Sequence, residues 1–110
     1  MALNKKNRLK KKRDFEGVFK KGKAVKGSFL FIKYTKNELR SPRLGFVVSA
    51  KNAGKAVERN KIRRILSEAV RTRISSMGGY DIIVFASKGI TGGSKEDVAN
   101  DFLGALKKIQ

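Results

Sequence analysis

The stretch RLGFVVSAKNAGKAVERNKIRR (residues 43–64) joins a strand-like run to the start of a helix. Its first part, LGFVVSA, is rich in apolar and β-branched residues, which predicts a strand. A loop with Lys51 and Lys55 follows, and from Val57 the apolar residues recur with helical spacing. Five of the eleven residues 54–64 are basic and only Glu58 is acidic. Like charges crowded at the start of a helix cost stability, which indicates a polyanionic partner that relieves the repulsion.

The helix predicted from Val57 to Ile74 has two contrasting faces. Its apolar residues form one stripe, consisting of Ile62, Ile65, Leu66, Ala69 and Val70. The opposite side carries polar and basic residues, namely Asn60, Arg64, Ser67 and Arg71, with Arg63 beside them. This pattern predicts that one face packs on a sheet and the other meets solvent or a partner.

The sequence before residue 43 predicts a helix and two strands. RDFEGVFKKG (13–22) places Phe15, Val18 and Phe19 on one helical face and a glycine after the last turn. A short strand is predicted at Lys23–Lys26 and a longer one at Phe29–Thr35. KNELRSPR (36–43) is turn-like, and through it we expect the strand LGFVVSA to pair antiparallel with the second strand.

The sequence after residue 74 predicts one more strand and one more helix. YDIIVFAS (80–87) is almost continuously apolar, which suits a strand buried on both faces. Ser94 is a candidate N-cap for a helix that buries Val98, Phe102, Ala105, Leu106 and Ile109. The element order is αβββαβα, an α+β sandwich. We expect a single RNA-binding domain over 1–110, with residues 1–12 as a flexible basic N-terminal arm.

The charge is concentrated in two blocks of the chain. The net charge is +18; residues 1–26 hold 11 basic and 2 acidic side chains, and residues 51–73 hold 8 and 2. Such a chain is suited to nucleic acid, because neutralised phosphates release condensed counterions. An anionic membrane surface is the competing polyanion. Two separated blocks favour a folded surface to which both contribute.

The composition argues against catalysis by the chain alone. It has no His, no Cys and only nine acidic residues, so the usual general base, thiol nucleophile and metal ligands are missing. Asp97 and Asp101 share a helical face, but Glu96 and Asp97 are better explained as complements of a helix N-terminus. The apolar runs are too short to span a bilayer, and the basic N-terminus lacks the apolar region of a secretory signal. We therefore predict a cytoplasmic protein with no catalytic or metal-ligating residues.

Two groups of residues are candidates for RNA binding. Phe15 and Phe19 share a helical face next to lysines, and Tyr34 lies in a strand; each can be core or a stacking platform for unpaired bases. The basic face that begins at Arg59 can be merely solvated. Because it carries little opposite charge and guanidinium groups fit phosphate, we favour a binding face.

Three segments together resemble the protein subunit of bacterial ribonuclease P. They are RLKKKRDFEGVFKKG (8–22), RLGFVVSAKNAGKAVERNKIRR (43–64) and YDIIVFASKGI (80–90), in the order and spacing of that family. The middle segment is the most specific, with a lysine-containing loop before Arg59, Asn60 and Lys61. Lys61 departs from the family's Arg, which keeps the charge and loses the bidentate fork.

The resemblance implies a fold, a partner and a reaction. The fold would be αβββαβα with a left-handed βαβ crossover, where the general rule predicts a right-handed one. The protein would assemble one-to-one with a catalytic RNA, without an obligatory protein partner, and help remove the 5′ leader of precursor tRNA. Mg²⁺ bound mainly by the RNA subunit and the substrate would supply the chemistry.

The resemblance also implies two sets of site residues. Contacts to the RNA subunit are expected from Lys51, Lys55, Arg59, Asn60, Lys61, Arg63 and Arg64. Contacts to the leader of precursor tRNA are expected from Arg8, Lys10, Lys11, Lys12, Phe15, Phe19 and Tyr34.

The main alternative is a non-catalytic RNA-binding protein such as a small ribosomal protein. A membrane-surface protein is a third class, which would need an exposed apolar helix face.

Overall fold

The computed structural model describes residues 5–49, 51, 54–71, 73–74, 77–87 and 89–109. Within these ranges, three long α-helices and four strands follow one another in the predicted order αβββαβα. They are α1 (Lys12–Lys21), β1 (Lys23–Lys26), β2 (Leu30–Lys36), β3 (Arg43–Val47), α2 (Ala56–Arg71), β4 (Tyr80–Ala86) and α3 (Lys95–Leu106). The predicted second helix ends at Arg71 instead of Ile74.

The strands form one mixed sheet in the order β1-β2-β4-β3. β2 pairs antiparallel with β1 and β4, whereas β3 pairs parallel with β4. The predicted antiparallel pairing of the second and third strands is therefore wrong. Ile82, Ile83 and Val84 are all fully buried, so β4 needs cover on both faces and occupies the inner position between β2 and β3. The β3–α2–β4 unit is the expected crossover, whose left hand stays a prediction.

The two faces of the sheet are covered differently. α2 and α3 pack on one face, where their predicted stripes are confirmed: Ile62, Leu66, Val70, Val98, Phe102, Ala105 and Leu106 are all buried. α1 lies on the other face, where Val18 packs with Leu9 and Ile83 in a smaller cluster. This second face is covered only in part, and we call it the open face.

The side chains of β2 alternate strictly between these faces. Leu30 and Ile32 are fully buried in the main core, whereas Phe31 and Lys33 are half-buried on the open face. Their partners on β4 follow the same rule, since Phe31 pairs with Phe85 and Lys33 with Ile83. The sheet thus has an apolar side for the helices and a side with both aromatic and basic residues.

Polar contacts hold α3 at its beginning and in its middle. The Ser94 Oγ accepts a hydrogen bond from the Asp97 amide at 3.0 Å, and the Asp97 carboxylate accepts one from the Ser94 amide at 3.4 Å. The predicted cap is confirmed as a reciprocal capping box. Asp101, one turn later, accepts hydrogen bonds from the amides of Ser28 and Phe29 at 2.8 and 2.9 Å. This carboxylate therefore ties the β1–β2 turn to the helix.

Part of the predicted N-terminal arm is docked against the sheet edge. Leu9 is 5% exposed, and its amide donates a hydrogen bond to the Leu44 carbonyl at 2.8 Å. The Asn7 side chain is buried and donates to the Pro42 carbonyl at 2.8 Å. These contacts cover β3, which would otherwise be an open edge strand.

In the described ranges no helix is long and apolar enough to cross a membrane.

Candidate RNA interface

The beginning of α2 exposes a cluster of donors whose geometry is partly fixed. The Arg59 Nη1 donates to the Gly54 carbonyl at 2.5 Å, and Gly54 has a φ of +70°, a conformation that favours glycine. The Arg63 Nη1 donates to the Asn60 Oδ1 at 3.2 Å. Each guanidinium keeps further N–H groups for a ligand. The other predicted RNA-subunit residues are exposed: Lys51, Lys55, Lys61 and Arg64.

A cavity at the edge of β3 brings the two predicted sets of residues together. Its volume is about 530 Å³, and it is open to solvent. Arg63 and Arg64, predicted to bind the RNA subunit, line it together with Arg8, Lys10 and Phe15, predicted to bind the leader. The remaining lining residues include Leu44, Gly45, Phe46 and Ser67. Lys11 and Lys12 are exposed just after this lining, where α1 begins.

For two of these lining residues, Ser67 and Gly45, the structure shows more than the sequence analysis predicted. Ser67 was assigned to the polar face of its helix, yet it is only 9% exposed and lines this cavity. Gly45 drew no attention, but a Cβ there would lie 2.6 Å from the Phe15 Cζ. The missing side chain lets the Phe15 ring rest directly on β3. Phe15 is consequently half-buried and belongs to the small cluster beneath α1.

A row of three phenylalanine rings continues from α1 across the open face. Phe19 is 45% exposed, and its ring lies 5.5 Å from that of Phe85 at an interplanar angle of 53°. Phe85 in turn stacks on Phe31, with centroids 4.6 Å apart and planes within 6° of parallel. The Lys33 Nζ lies 5.6 Å from the centroid of Phe19, within cation–π range. An exposed aromatic surface with cations around it is suited to unpaired bases.

Sequence reasoning missed Phe31, Lys33 and Phe85, and it chose Tyr34 for this surface. Tyr34 lies on the other face of the sheet, where it packs against the main core and meets Tyr80 edge-on at 6.0 Å. A one-residue step along a strand exchanges the faces. The buried Leu30 and Ile32 share Tyr34's parity, so the alternation along β2 was the signal that separates Tyr34 from the open face.

An ion-pair network beneath α1 fixes the helix to the sheet. The Arg43 Nε and Nη2 donate to the two carboxylate oxygens of Asp81 at 2.8 and 2.7 Å. The Arg43 Nη1 reaches Asp14 in the first turn of α1 at 3.4 Å, and Asn37 also donates to Asp81, at 2.9 Å. The hydrogen bond to Asp81 is the largest cause that raises the pKa of Arg43 above its ordinary value. The guanidinium therefore stays charged wherever the protein is folded.

Four of the described carboxylates are committed to structural contacts. Arg43 engages Asp14 and Asp81, the β1–β2 turn engages Asp101, and Asp97 takes part in the capping box. Over the ranges that the structure describes, no cluster of three or more His, Cys, Asp or Glu side chains could hold a metal ion. The site's chemistry is that of cations and aromatic rings.

Comparisons with known proteins point in one direction. A family model described as Ribonuclease P matches residues 3–110. The ribonuclease P protein component of Syntrophomonas wolfei is 38% identical over 107 residues, covering 96% of this chain and 89% of that protein. The one from Clostridioides difficile is 34% identical over 110 residues, covering 98% and 96%.

Solved structures agree with the sequence relatives. The ribonuclease P protein of Staphylococcus aureus superposes with a TM-score of 0.86 at 34% identity, covering 92% of this chain and 93% of that one. The protein from Thermotoga maritima gives a TM-score of 0.83 at 34% identity, covering 94% and 97%. The similarity thus extends over nearly the full length of the chains compared.

Proposed function

This chain belongs to the ribonuclease P protein family, subunits of the ribonucleoprotein endoribonuclease that processes tRNA 5′ ends, and we propose that it carries two adjoining RNA surfaces in that particle. One surface binds the catalytic RNA, one-to-one. The other binds the single-stranded leader of precursor tRNA. The two meet at the cavity beside β3.

The surface for the catalytic RNA is the beginning of α2 and the loop before it. Its residues are Lys51, Lys55, Arg59, Asn60, Lys61, Arg63 and Arg64. The contacts of Arg59 with Gly54 and of Arg63 with Asn60 hold these side chains at the helix surface before RNA arrives. Pre-positioned guanidinium groups lose less entropy on binding phosphate than free ones, so this arrangement favours docking.

The surface for the leader begins at the cavity and follows α1 across the open face. Basic residues at its entrance would hold phosphates: Arg8, Lys10, Lys11 and Lys12. Phe15 and Phe19 would contact bases, and Phe31, Lys33 and Phe85 take the place first given to Tyr34. The observation that carries the leader surface is the ring series of Phe19, Phe85 and Phe31, because an aromatic surface with a cation beside it is suited to stacking unpaired bases.

The chemistry of cleavage belongs to the RNA in this proposal. Arg43, backbone amides or a helix cap engage four of the described carboxylates. No described cluster of three or more His, Cys, Asp or Glu side chains could hold a metal ion, so these residues do not fit a Mg²⁺ site. Mg²⁺ held by the RNA subunit and the substrate would activate the attacking water. This chain's cations would neutralise phosphates nearby, which lowers the Mg²⁺ concentration that cleavage requires.

The test uses the holoenzyme reconstituted with its catalytic RNA. Phe19→Ala should weaken binding of a leader-bearing precursor tRNA about tenfold and leave binding of mature tRNA unchanged, because only the precursor has bases to stack. Leu39→Ala is the matched control, since Leu39 is also about half exposed but lies in the β2–β3 turn. If Phe19→Ala weakened the binding of precursor and mature tRNA equally, Phe19 would have a structural role and would not contact the leader.

The docking surface has its own test. Arg64→Ala should weaken assembly with the catalytic RNA and flatten the dependence of log K on log salt by about one unit, because one phosphate contact is lost. Arg40→Ala, an exposed arginine in the β2–β3 turn, serves as the control. An unchanged salt slope with Arg64→Ala would refute this assignment. A general RNA-binding protein would show neither precursor discrimination nor stimulation of cleavage at low Mg²⁺.

A further inference from the structure

The N-terminal strap, residues 5–11, is strongly basic and yet lies against the edge of a basic protein. Five of its seven residues are basic, and the other two are Asn7 and Leu9. The net charge of the chain is +18, so placing this segment on the fold is opposed by electrostatic repulsion. Asn7 and Leu9 are also the two buried residues of the strap, at 1% and 5% exposure. The uncharged residues therefore hold the strap in place against the repulsion of the charged ones.

Two anchors fix the strap along β3. The Asn7 Nδ2 donates a hydrogen bond to the Pro42 carbonyl at 2.8 Å, just before β3 begins. Two residues later, the Leu9 amide donates to the Leu44 carbonyl at 2.8 Å, and the Leu9 side chain joins the small cluster beneath α1. The backbone of Arg8 lies between the anchors and forms a parallel bridge with Leu44. The side chain of Arg8 therefore leaves the strap from a point that is held on both sides.

An amide suits the first anchor better than a charged donor would. A lysine at position 7 could also donate to the Pro42 carbonyl, but it would bury a further cation beside its basic neighbours. Asn7 supplies the donor without a charge. Loss of that donor would leave the carbonyl of the buried Pro42 without this hydrogen bond, and water replaces such bonds poorly. A basic tail that served solubility alone would need no such anchor.

The anchored strap presents its cations beside those of α2. Arg8 and Lys10 alternate with the two anchor residues, so they are exposed where their neighbours are buried. They line the cavity beside β3 together with Arg63 and Arg64. Four cations from two distant segments of the chain thus surround one cavity. Because like charges would drive a free strap away from α2, this placement depends on the anchors.

From this geometry we propose that Asn7 is a positioning residue for RNA binding. Its side chain fixes the strap, so that Arg8 and Lys10 stand at the cavity before RNA binds. The inference rests on the proposed function, in which these two cations bind phosphate. A cation held in place loses less conformational freedom on binding than one carried by a free arm. Asn7 thereby raises the affinity for RNA without touching it.

Limited digestion with trypsin measures whether Asn7 holds the strap. Trypsin cleaves after lysine and arginine, so the strap is rich in cleavable bonds. Asn7→Ala, and Asn7→Leu with its similar side-chain volume, should each speed cleavage within the strap about tenfold, because cleavage follows the population of the detached segment. Cleavage elsewhere in the chain should keep its rate. Asn100→Ala, which alters an exposed asparagine of α3, is the control and should change neither rate.

A double-variant cycle in the reconstituted holoenzyme measures the positioning itself. Arg8→Gln should weaken binding of precursor tRNA about threefold in the unaltered protein and hardly at all in the Asn7→Ala background, since a detached strap no longer holds Arg8 at the cavity. Asn7→Ala alone should also flatten the dependence of log K on log salt by about one unit. A residue with a purely structural role would lower the stability of the protein and leave the effect of Arg8→Gln unchanged.

Two results would overturn this inference. One is unchanged trypsin cleavage with both Asn7 variants, because the strap would then not depend on the anchor. The other is faster cleavage combined with additive effects of Asn7→Ala and Arg8→Gln on binding of precursor tRNA. In both cases Phe19→Ala still tests the proposed function separately, because Phe19 lies outside the strap. If Phe19→Ala and Arg8→Gln both left the binding of precursor tRNA unchanged, the leader surface of the proposed function would itself be refuted.

Discussion

Replacing Arg43 tests how strongly the open face depends on its ion-pair network. Arg43→Met keeps the length of the side chain and removes two of the three hydrogen bonds that Asp81 accepts from Arg43 and Asn37. Asp81 is 6% exposed, so water replaces these donors poorly. Breaking a buried ion pair lowers the free energy of unfolding by about 3–5 kcal/mol. Because the side chain of Arg43 is 25% exposed, we expect a loss near the lower end of this range, about 3 kcal/mol.

The assay is reversible unfolding in urea, followed by circular dichroism. About 3 kcal/mol corresponds to a fall in melting temperature on the order of 12 °C for a chain of this size. The control is Arg40→Met, because Arg40 is exposed in the adjoining turn. The double variant Arg43→Met/Asp81→Leu should recover much of the loss, since no unpaired carboxylate remains buried. If Arg43→Met lowered the free energy of unfolding by less than about 1 kcal/mol, the reasoning would be refuted, because water would then satisfy Asp81 as well as Arg43 does.

The raised pKa of Arg43 also makes a prediction about pH. A folded-state pKa above the unfolded one stabilises the protein at every pH below the unfolded pKa, and this contribution is lost only as pH rises through the folded value. For Arg43 that window lies above any working pH. The stability difference between Arg43→Met and the unaltered protein should therefore be constant from pH 6 to pH 9 when urea unfolding is repeated there. A difference that changes with pH would require another titrating group in the network.

Three further changes test contacts described above. Asp101→Ala should cost about 2 kcal/mol in urea unfolding, because two amides of the β1–β2 turn lose their acceptor; Asn100→Ala, on the exposed side of the same helix, should cost little. Ser94→Ala should cost about 1 kcal/mol by removing the capping box, and no loss would show that α3 is held by packing alone. Gly45→Ala should displace the Phe15 ring, because the added Cβ would contact it, and should weaken binding of precursor tRNA more than that of mature tRNA. Unchanged affinity for precursor tRNA would show that Phe15 does not contact the leader.

The elements of the fold were predictable because they depend on local patterns. The stripe through Ile62, Leu66 and Val70 and the cap at Ser94 are each contained within a few turns of chain. The partner of each strand was not predictable in the same way. A turn-like sequence with Pro42 is compatible with a hairpin, but the burial of β4 on both faces decides that β4 separates β2 from β3.

The candidate site was predictable in its charge and only partly in its geometry. The basic residues of α2 lie where helical spacing puts them. The network of Arg43 joins residues 29 and 38 positions apart, and no local pattern indicates such a contact. Tyr34 was predicted to lie on the open face, but it lies on the other face of the sheet. A family resemblance matches residue types, whereas the face that a side chain occupies depends on its position in the alternation along the strand. One residue of register decides whether a ring lies on the open face or against the core.

The inner position of β4 has a consequence for the order of events during synthesis. The strand that completes the centre of the sheet begins at Tyr80, after β1, β2, β3 and α2 have all been made. Until β4 emerges from the ribosome, β2 can pair only with β1 and presents Ile32 on one side and Phe31 on the other. The nascent chain therefore carries an unpaired strand edge and exposed apolar side chains while the residues between β2 and β4 are being added, a condition that invites aggregation. Its high positive charge keeps such nascent chains apart, so the basic residues that we propose to bind RNA also protect the chain while it is incomplete.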